Sequence, residues 1–391
     1  MNKYDVIIVG SGFAGSIMAE RFASVLKKRV LIIEKRDHVA GNMFDYKDEH
    51  GVSIHKYGPH LFRTSSDRVR DYIGQFTGWL PYQHRVLANV NDTLVPVPFN
   101  LTSIERLMPE KAEELKTLLL SEFGMDVKVP VSVLRKHPDA RLQELGEFIF
   151  ENIYLNYTTK QWGDKPENLD FETITARVPV HVSYDDRYFQ ETHQALPVDG
   201  YTAMFERMLA NPLIEIRLNT LASDLITLDE DAKQVLFEGA PFDGELIYTG
   251  ALDELFNYRF GGLPYRSLRF DLETHDQDFY QPTGTVNYPN TEKFTRITEY
   301  KHMMADHPSK TTVMKEYPQE YDRNDPLKDI PYYPIPKDEN TALYEKYADL
   351  VKSYRNITLV GRLAEYKYYD MNNIITRSLE LFDEKFLAGG R

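Results

Sequence analysis

Gly10-Ser11-Gly12-Phe13-Ala14-Gly15 forms a G-x-G-x-x-G segment between two short apolar runs near the start of the chain. No other feature narrows the possible folds as much. Val6-Ile7-Ile8-Val9 reads as a continuously apolar strand, as expected for a parallel strand buried on both faces. Ala14, Ile17, Met18, Phe22, Val25 and Leu26 then recur at helical spacing, and Val30-Leu31-Ile32-Ile33 is a second strand. In such a β-α-β unit the first glycine permits the tight turn and the second lets the backbone approach a pyrophosphate. The third allows close helix–strand packing, while the helix N-terminus faces the phosphate charge. Glu34 follows 19 residues after Gly15, where a carboxylate can hold ribose hydroxyls. The spacing predicts a dinucleotide held around Gly10, Gly12, Phe13, Ala14, Gly15 and Glu34.

Composition removes several other classes. The chain has 391 residues, enough for two or three domains, and a formal charge of −14 with no basic run. A nucleic-acid partner is therefore not expected, since phosphate backbones are held by clustered cations. With no cysteine, disulfides, thiolate metal sites and cysteine nucleophiles are excluded. No apolar run approaches the ~18 residues of a membrane span. The N-terminus enters a strand almost at once, leaving no room for a signal peptide, so a cytoplasmic location is expected. His50, His55 and His60 lie five apart, which suits no helical metal face, and no metal is expected. The 26 tyrosines outnumber the 21 phenylalanines. An apolar ring with a polar tip suits a wet ligand cavity, although half-buried strand surface accounts equally well for any single tyrosine.

Along the chain the pattern runs α/β, then helical, then antiparallel β, then α/β again. Leu101 to Tyr157 is helical in period, with a segment over Glu110–Phe123 and a longer helix marked by Leu142, Leu145, Phe148, Ile149 and Ile153. Asp126–Arg141, carrying two prolines with Arg135 and Lys136, reads as a loop and a candidate lid. Leu268, Phe270 and Leu272 share one strand face, as do Phe294, Arg296, Thr298 and Tyr300, and Val313, Lys315 and Tyr317. Five prolines from Pro318 to Pro336 mark an extended connection, and Asn373–Phe386 reads as a helix.

Lys35-Arg36-Asp37-His38-Val39-Ala40-Gly41-Asn42 runs on from Glu34 without another regular helix. It resembles the extended FAD signature of glutathione-reductase-like flavoproteins, with Ala40 replacing the first of two usual glycines. Ile247-Tyr248-Thr249-Gly250 resembles the later strand-Thr-Gly of that fold, and no second glycine fingerprint marks a pyridine-nucleotide domain. FAD is the expected cofactor.

Four further stretches, read together, resemble the UDP-galactopyranose mutase family. They are Tyr57-Gly58-Pro59-His60-Leu61-Phe62; Tyr157-Thr158-Thr159-Lys160-Gln161-Trp162-Gly163; Phe294-Thr295-Arg296-Ile297-Thr298-Glu299; and Gly361-Arg362-Leu363 continuing to Tyr366-Lys367-Tyr368-Tyr369-Asp370-Met371. Arg177-Val178-Pro179-Val180, running on to Tyr188-Phe189, and Ile330-Pro331-Tyr332-Tyr333-Pro334 add to it. The resemblance implies an α/β fold: a glutathione-reductase-like FAD-binding Rossmann domain with an inserted helical domain and an antiparallel β-sheet substrate domain. The expected boundaries are 1–80, 196–255 and 338–391 for the FAD domain and 99–180 for the helical domain with its uridine site and mobile loop. The sheet domain takes 81–98, 181–195 and 256–337.

The resemblance also implies an activity. UDP-galactopyranose and UDP-galactofuranose are interconverted through a covalent adduct of the anomeric carbon with N5 of reduced FAD, without net redox change. The resemblance further implies that the furanose supplies cell-surface glycans and that the protein is a homodimer. Arg177 and Arg296 are implied as the cations meeting the diphosphate, since guanidinium stays charged and forks its donors toward phosphate. His60 lies against the flavin, which Lys35, Asn42, Leu61, Arg362, Asp370 and Met371 also hold. Tyr157, Thr158 and Trp162 receive the uridine, while His84, Tyr188, Asn287, Tyr333 and Tyr368 contact sugar or phosphate. Tyr317 is a weaker candidate for the same face. Two positions depart from many bacterial members, which have histidine at Arg63 and asparagine at His84. An amine-oxidase-like flavoenzyme and a binding protein resembling Rab GDP-dissociation inhibitors remain as alternatives at this stage.

Overall fold

Alternate residues of the first two strands enter different cores. Val6, Ile8, Val30 and Ile32 pack with Met18, Phe22 and Phe382 on one side. Ile7, Leu31 and Ile33 pack with Leu246, Tyr347 and Val351 on the other. A sheet covered on both faces has no polar face to alternate with, which is why these strands are continuous apolar runs. The computed structural model describes residues 3–163, 179–305, 307–335 and 337–387. Its five-stranded sheet is parallel, in the order Ile214–Arg217, Val30–Ile33, Val6–Val9, Glu245–Tyr248, Ile357–Leu359. The helix Phe13–Ser24 crosses between the first two strands, and Met371–Phe382 lies beside it. Gly15 makes that crossing possible, because a Cβ there would lie 1.9 Å from the Gly10 carbonyl oxygen.

A second, seven-stranded sheet has the order Tyr333–Pro334, Tyr265–His275, Thr311–Glu320, Arg296–Glu299, Thr285–Asn287, Val86–Val90, Thr93–Val97. All its pairs are antiparallel except Thr285–Asn287 with Val86–Val90. The hairpin formed by its last two strands shares a core with the helices Leu101–Leu107, Ala112–Phe123, Val131–Arg135 and Ala140–Ile149. Asn100 starts this helical layer through a reciprocal cap: Ser103 N–H donates to its Oδ1 at 3.0 Å, and Asn100 N–H donates to Ser103 Oγ at 3.2 Å.

Three local expectations change. The stretch 126–141 is not an open loop. Val127–Val129 pairs antiparallel with Val180–Val182, Val131–Arg135 is helical, and Val129, Val131 and Leu134 are buried in the helical core. The prolines there bracket elements, Pro130 being the residue that precedes the short helix. Tyr300 leaves the strand face shared by Arg296 and Thr298, because the chain turns into a 3₁₀ helix at that residue. Its hydroxyl donates to the His55 carbonyl at 3.1 Å, deep in another core. Finally, the helix expected over Asn373–Phe386 starts at Met371 and passes into a wider π-type turn after Phe382.

The parallel sheet is the element on which the turn at Gly10 is built, so Leu31→Ala tests its contribution. Leu31 is fully buried, and its truncation is expected to cost ~2–5 kcal/mol in urea unfolding, the usual range for a leucine cavity that relaxes incompletely. A loss below 1 kcal/mol would contradict this packing.

Candidate functional site

One cavity of about 1340 Å³ runs from the carboxyl ends of the parallel strands to the face of the seven-stranded sheet. At its first end Gly10 adopts φ +95°, and a Cβ there would meet Thr249 Oγ1 at 2.3 Å. Helix Phe13–Ser24 opens beside it with no side-chain cap on its first turn, leaving backbone N–H groups for an anion. Ser11 donates to Glu34 Oε2 through N–H at 2.9 Å and through its hydroxyl at 2.7 Å, which fixes that carboxylate at the cavity wall. Arg36 donates to Asn42 Oδ1 at 2.9 Å, and its Nη1 is buried with no partner among the described residues. Ala40, in the place of a usual glycine, sits at φ +74° with its methyl fully buried, a backbone region that costs a non-glycine residue ~1–2 kcal/mol.

Cross-strand register builds the other end. Ala88, Asn287, Arg296, Glu316 and Phe270 are successive partners across five strands, so their side chains lie on one face. Arg296 donates to Glu316 Oε2 from Nε at 2.9 Å and from Nη2 at 2.6 Å. Burial works against the Arg296 charge. The Glu316 carboxylate and the neighbouring Tyr157 and Tyr333 more than offset that and hold its pKa above the ordinary value. Burial also pushes up the phenols of Tyr157 and Tyr188, and that of Tyr333 to about 12, so all three remain protonated donors.

Two histidines line the cavity, His84 buried and His60 half-buried, and both are held neutral. Burial lowers His60 well below its usual value, with His55 and Arg362 adding to the effect. His84 is lowered to about 3, by burial first and then by Arg296. His60 Nδ1 is buried without a partner among the described residues.

Tyr157 reaches the cavity from helix Asn156–Trp162, which is fastened to the sheet at two points. Lys160 Nζ donates to the carbonyls of Tyr288, Glu292 and Phe294 at 2.6, 3.0 and 3.2 Å. Arg266 Nε donates to the Gln161 carbonyl at 3.2 Å.

The cavity wall includes Gly10, Gly12, Phe13, Ala14, Glu34, Lys35, Asn42, His60, Leu61, His84, Tyr157, Tyr188, Asn287, Arg296, Tyr333, Arg362, Tyr368, Asp370 and Met371. Gly15, Thr158, Trp162 and Tyr317 are not part of it. Gly15 is turned into the helix–strand contact, and Thr158 is buried. Trp162 is five residues from Tyr157, about 140° around a helix, so the two cannot share a face. Arg177 lies outside the described residues. Arg362 donates to the carbonyls of Tyr332 and Tyr369 at 3.0 and 2.6 Å, which fixes its guanidinium beside the rings of Tyr333 and Tyr368. Asp370 caps helix Met371–Phe382 by accepting from Asn373 N–H at 2.8 Å.

Sequence reasoning did not single out Glu316, Thr285 or Glu191. Glu316 is visible only through its register with Arg296, and Thr285 through its register with Thr298. Glu191 pairs with Arg63, which also donates to Asp370 Oδ2 at 2.9 Å and lies over the Phe189 ring at 4.2 Å. Among the described residues no cluster of His, Asp and Glu is placed to hold a metal ion, and no helix is long and apolar enough to cross a membrane.

Fold and cavity together define a dinucleotide-binding α/β protein whose cleft continues past the glycine turn to the face of the second sheet. Two family models match: the UDP-galactopyranose mutase family over residues 152–368 and an NAD(P)-binding Rossmann-like domain over residues 8–76. A UDP-galactopyranose mutase of Mycoplasma genitalium is 35% identical over 385 residues, covering 97% of this chain and 94% of that protein. A dTDP-fucopyranose mutase of Escherichia coli is 32% identical, covering 97% of each. A crystal structure of reduced UDP-galactopyranose mutase superposes with a TM-score of 0.73 at 18% identity, covering 100% of this chain and 94% of the other. The chain belongs to the UDP-galactopyranose mutase family, whose members are flavin-dependent isomerases.

The neutral state of His84 has a measurable consequence. An unfolded histidine takes up a proton below pH ~6.5, but the folded one does not until about 3. Between these values the unfolded state binds more protons, so stability falls as pH falls. In His84→Asn this contribution disappears. Its unfolding free energy should decline less steeply between pH 6 and pH 4.5, by about 1.4 kcal/mol per pH unit, in parallel urea titrations. Equal slopes in the two proteins would show that His84 protonates normally.

Proposed function

We propose that this protein interconverts UDP-galactopyranose and UDP-galactofuranose with reduced FAD as its cofactor, and that the product feeds cell-surface glycan synthesis. A homodimer in the cytoplasm is part of the same proposal. The observation that carries it is the continuity of one cavity from the glycine cradle to a tyrosine-walled end containing the half-buried Arg296 paired with the buried Glu316. An amine oxidase has no need of an arginine in that position, and a non-catalytic binding protein has no need of the cofactor cradle.

The residues present suit a flavin dinucleotide. The glycine turn and the uncapped helix at Phe13 would take the pyrophosphate, with Glu34 and Lys35 on the adenosine ribose side. Asn42, His60, Leu61, Arg362 and the Asp370–Met371 helix start would enclose the rest. A reduced flavin supplies a nucleophile for the anomeric carbon with no net redox change. The chain's own task is then to bind, orient and stabilise charge.

In this reading Arg296, with Arg177 as its expected second cation, takes the charge that builds on the departing diphosphate. Held by Glu316, its guanidinium needs little reorganisation when the ligand arrives. Neutral tyrosine hydroxyls at 188 and 333 add donors without adding charge, and Tyr368 offers a further hydroxyl. Tyr157 offers a ring for uracil stacking, and Asn287 an amide for the sugar. His60, uncharged, can hydrogen-bond to the flavin without becoming a competing cation.

The test is turnover of UDP-galactofuranose by purified, flavin-bearing protein with and without dithionite. Formation of UDP-galactopyranose by the reduced protein is expected, and its absence would sink the assignment. A parallel arm with dTDP-fucopyranose, prompted by the relative named for that sugar, distinguishes substrates within the same reaction class. Arg296→Ala is expected to keep its flavin and lose about 10²–10³ in kcat, the scale of removing one preorganised charge donor. Near-normal turnover by this variant would remove Arg296 from the diphosphate site.

A further inference from the structure

His84 meets the cavity beside Arg296, and its ring is held from behind by one hydroxyl. Tyr82 Oη lies 3.1 Å from His84 Nδ1. The ring is also packed against Tyr188 and Phe189, with centroids 6.0 and 6.2 Å away. The backbone keeps the same order, since Tyr188 N–H donates to the His84 carbonyl at 2.8 Å. Gly284 completes the arrangement from the residue just before the strand Thr285–Asn287. A Cβ at that position would lie 2.6 Å from Tyr82 Oη, so the hydroxyl occupies the space a side chain would take.

A neutral imidazole carries its proton on one nitrogen and accepts at the other, and the tautomer follows from the partner. Burial pushes the Tyr82 phenol up, so it remains an O–H group. Its one recorded partner among the described residues is His84 Nδ1. With a proton on Nδ1, the ring would donate to Oη and the phenol O–H, turned away from it, would find no acceptor among the described residues. With Nδ1 bare, the O–H donates to it and the ring proton sits on Nε2. No protein group accepts from Nε2 among the described residues.

We propose that Tyr82 is a positioning residue that fixes His84 as its Nε2–H tautomer, so that His84 offers a neutral donor, and not a base, to an oxygen of the nucleotide sugar. The donor role rests on the function proposed above; the tautomer does not. A fixed donor distinguishes ligands by whether an acceptor stands opposite it, because a ligand lacking one leaves a buried N–H unpaired. It also avoids placing an imidazolium charge against the Arg296 guanidinium.

The experiment is long-range proton–nitrogen correlation NMR on histidine-selectively ¹⁵N-labelled holoprotein. His84 signals are assigned as those missing from His84→Gln. Expected in the wild type is an unprotonated Nδ1 and a protonated Nε2, unchanged from pH 5.5 to 8.5. In Tyr82→Phe the Nδ1 resonance should move toward a tautomer mixture, with KM for the nucleotide sugar raised about fivefold and flavin content unchanged. Gly284→Ala, which displaces the hydroxyl without removing it, should move the same resonance and serves if Tyr82→Phe does not fold. A proton on Nδ1 in the wild type, titration of His84 near pH 6.5, or an unaltered resonance in both variants would overturn the proposal. A protein with the expected spectrum but no turnover of nucleotide sugar overturns the function and leaves the tautomer. Turnover with Nδ1 protonated overturns the tautomer and leaves the function.

Discussion

A parallel sheet buried on both faces has few places to meet a polar ligand. Its side chains are committed to two apolar cores, so the accessible polar groups gather where the strands end and the helices begin. The glycine turn at that boundary is the constraint on which the rest of the molecule depends. Gly10 must adopt a positive φ against Thr249, and Gly15 must lie against the Gly10 carbonyl. Both conditions bring the helix amides of Phe13 and Ala14 to the cavity. Everything else in the cleft is arranged relative to that edge.

The second sheet contributes by register. Asn287, Arg296 and Glu316 come from three separate strands and meet because those strands pair in phase. A one-residue slip in any of them would turn its side chain to the opposite face. The protein carries a net charge of −14, yet this face presents a guanidinium whose partner keeps it both charged and oriented. Such a partly buried pair is a weak source of stability, since desolvation opposes the attraction. Its value lies in holding charge ready for an anion.

Much of this was legible in the sequence, and unevenly. The β-α-β unit could be read because glycine spacing, strand runs and the acidic residue Glu34 each report on local geometry. Family-like motifs pointed to Arg296, Tyr157 and Tyr188, which the structure brings to one cavity. Trp162, from the same motif as Tyr157, lies off that cavity's wall, because five residues on, the helix has turned about 140°. Glu316 and Thr285 were invisible for the converse reason: their roles come from pairing with residues 20 and 13 positions away in sequence. The 126–141 segment looked like a loop because its proline and basic residues outweighed three buried aliphatic side chains, Val129, Val131 and Leu134.

The glycine cradle and the Arg296 end are parts of one uninterrupted cleft. Whatever occupies the first therefore forms part of the wall seen by the second. Two ligands in contact within one enclosure are thermodynamically coupled, and the coupling is reciprocal. A nucleotide sugar that binds more tightly over the cofactor must raise that cofactor's affinity by the same factor. Retention of the prosthetic group and recognition of the substrate are thus a single property of this cavity, shared between two sheets that evolved side chains for different tasks.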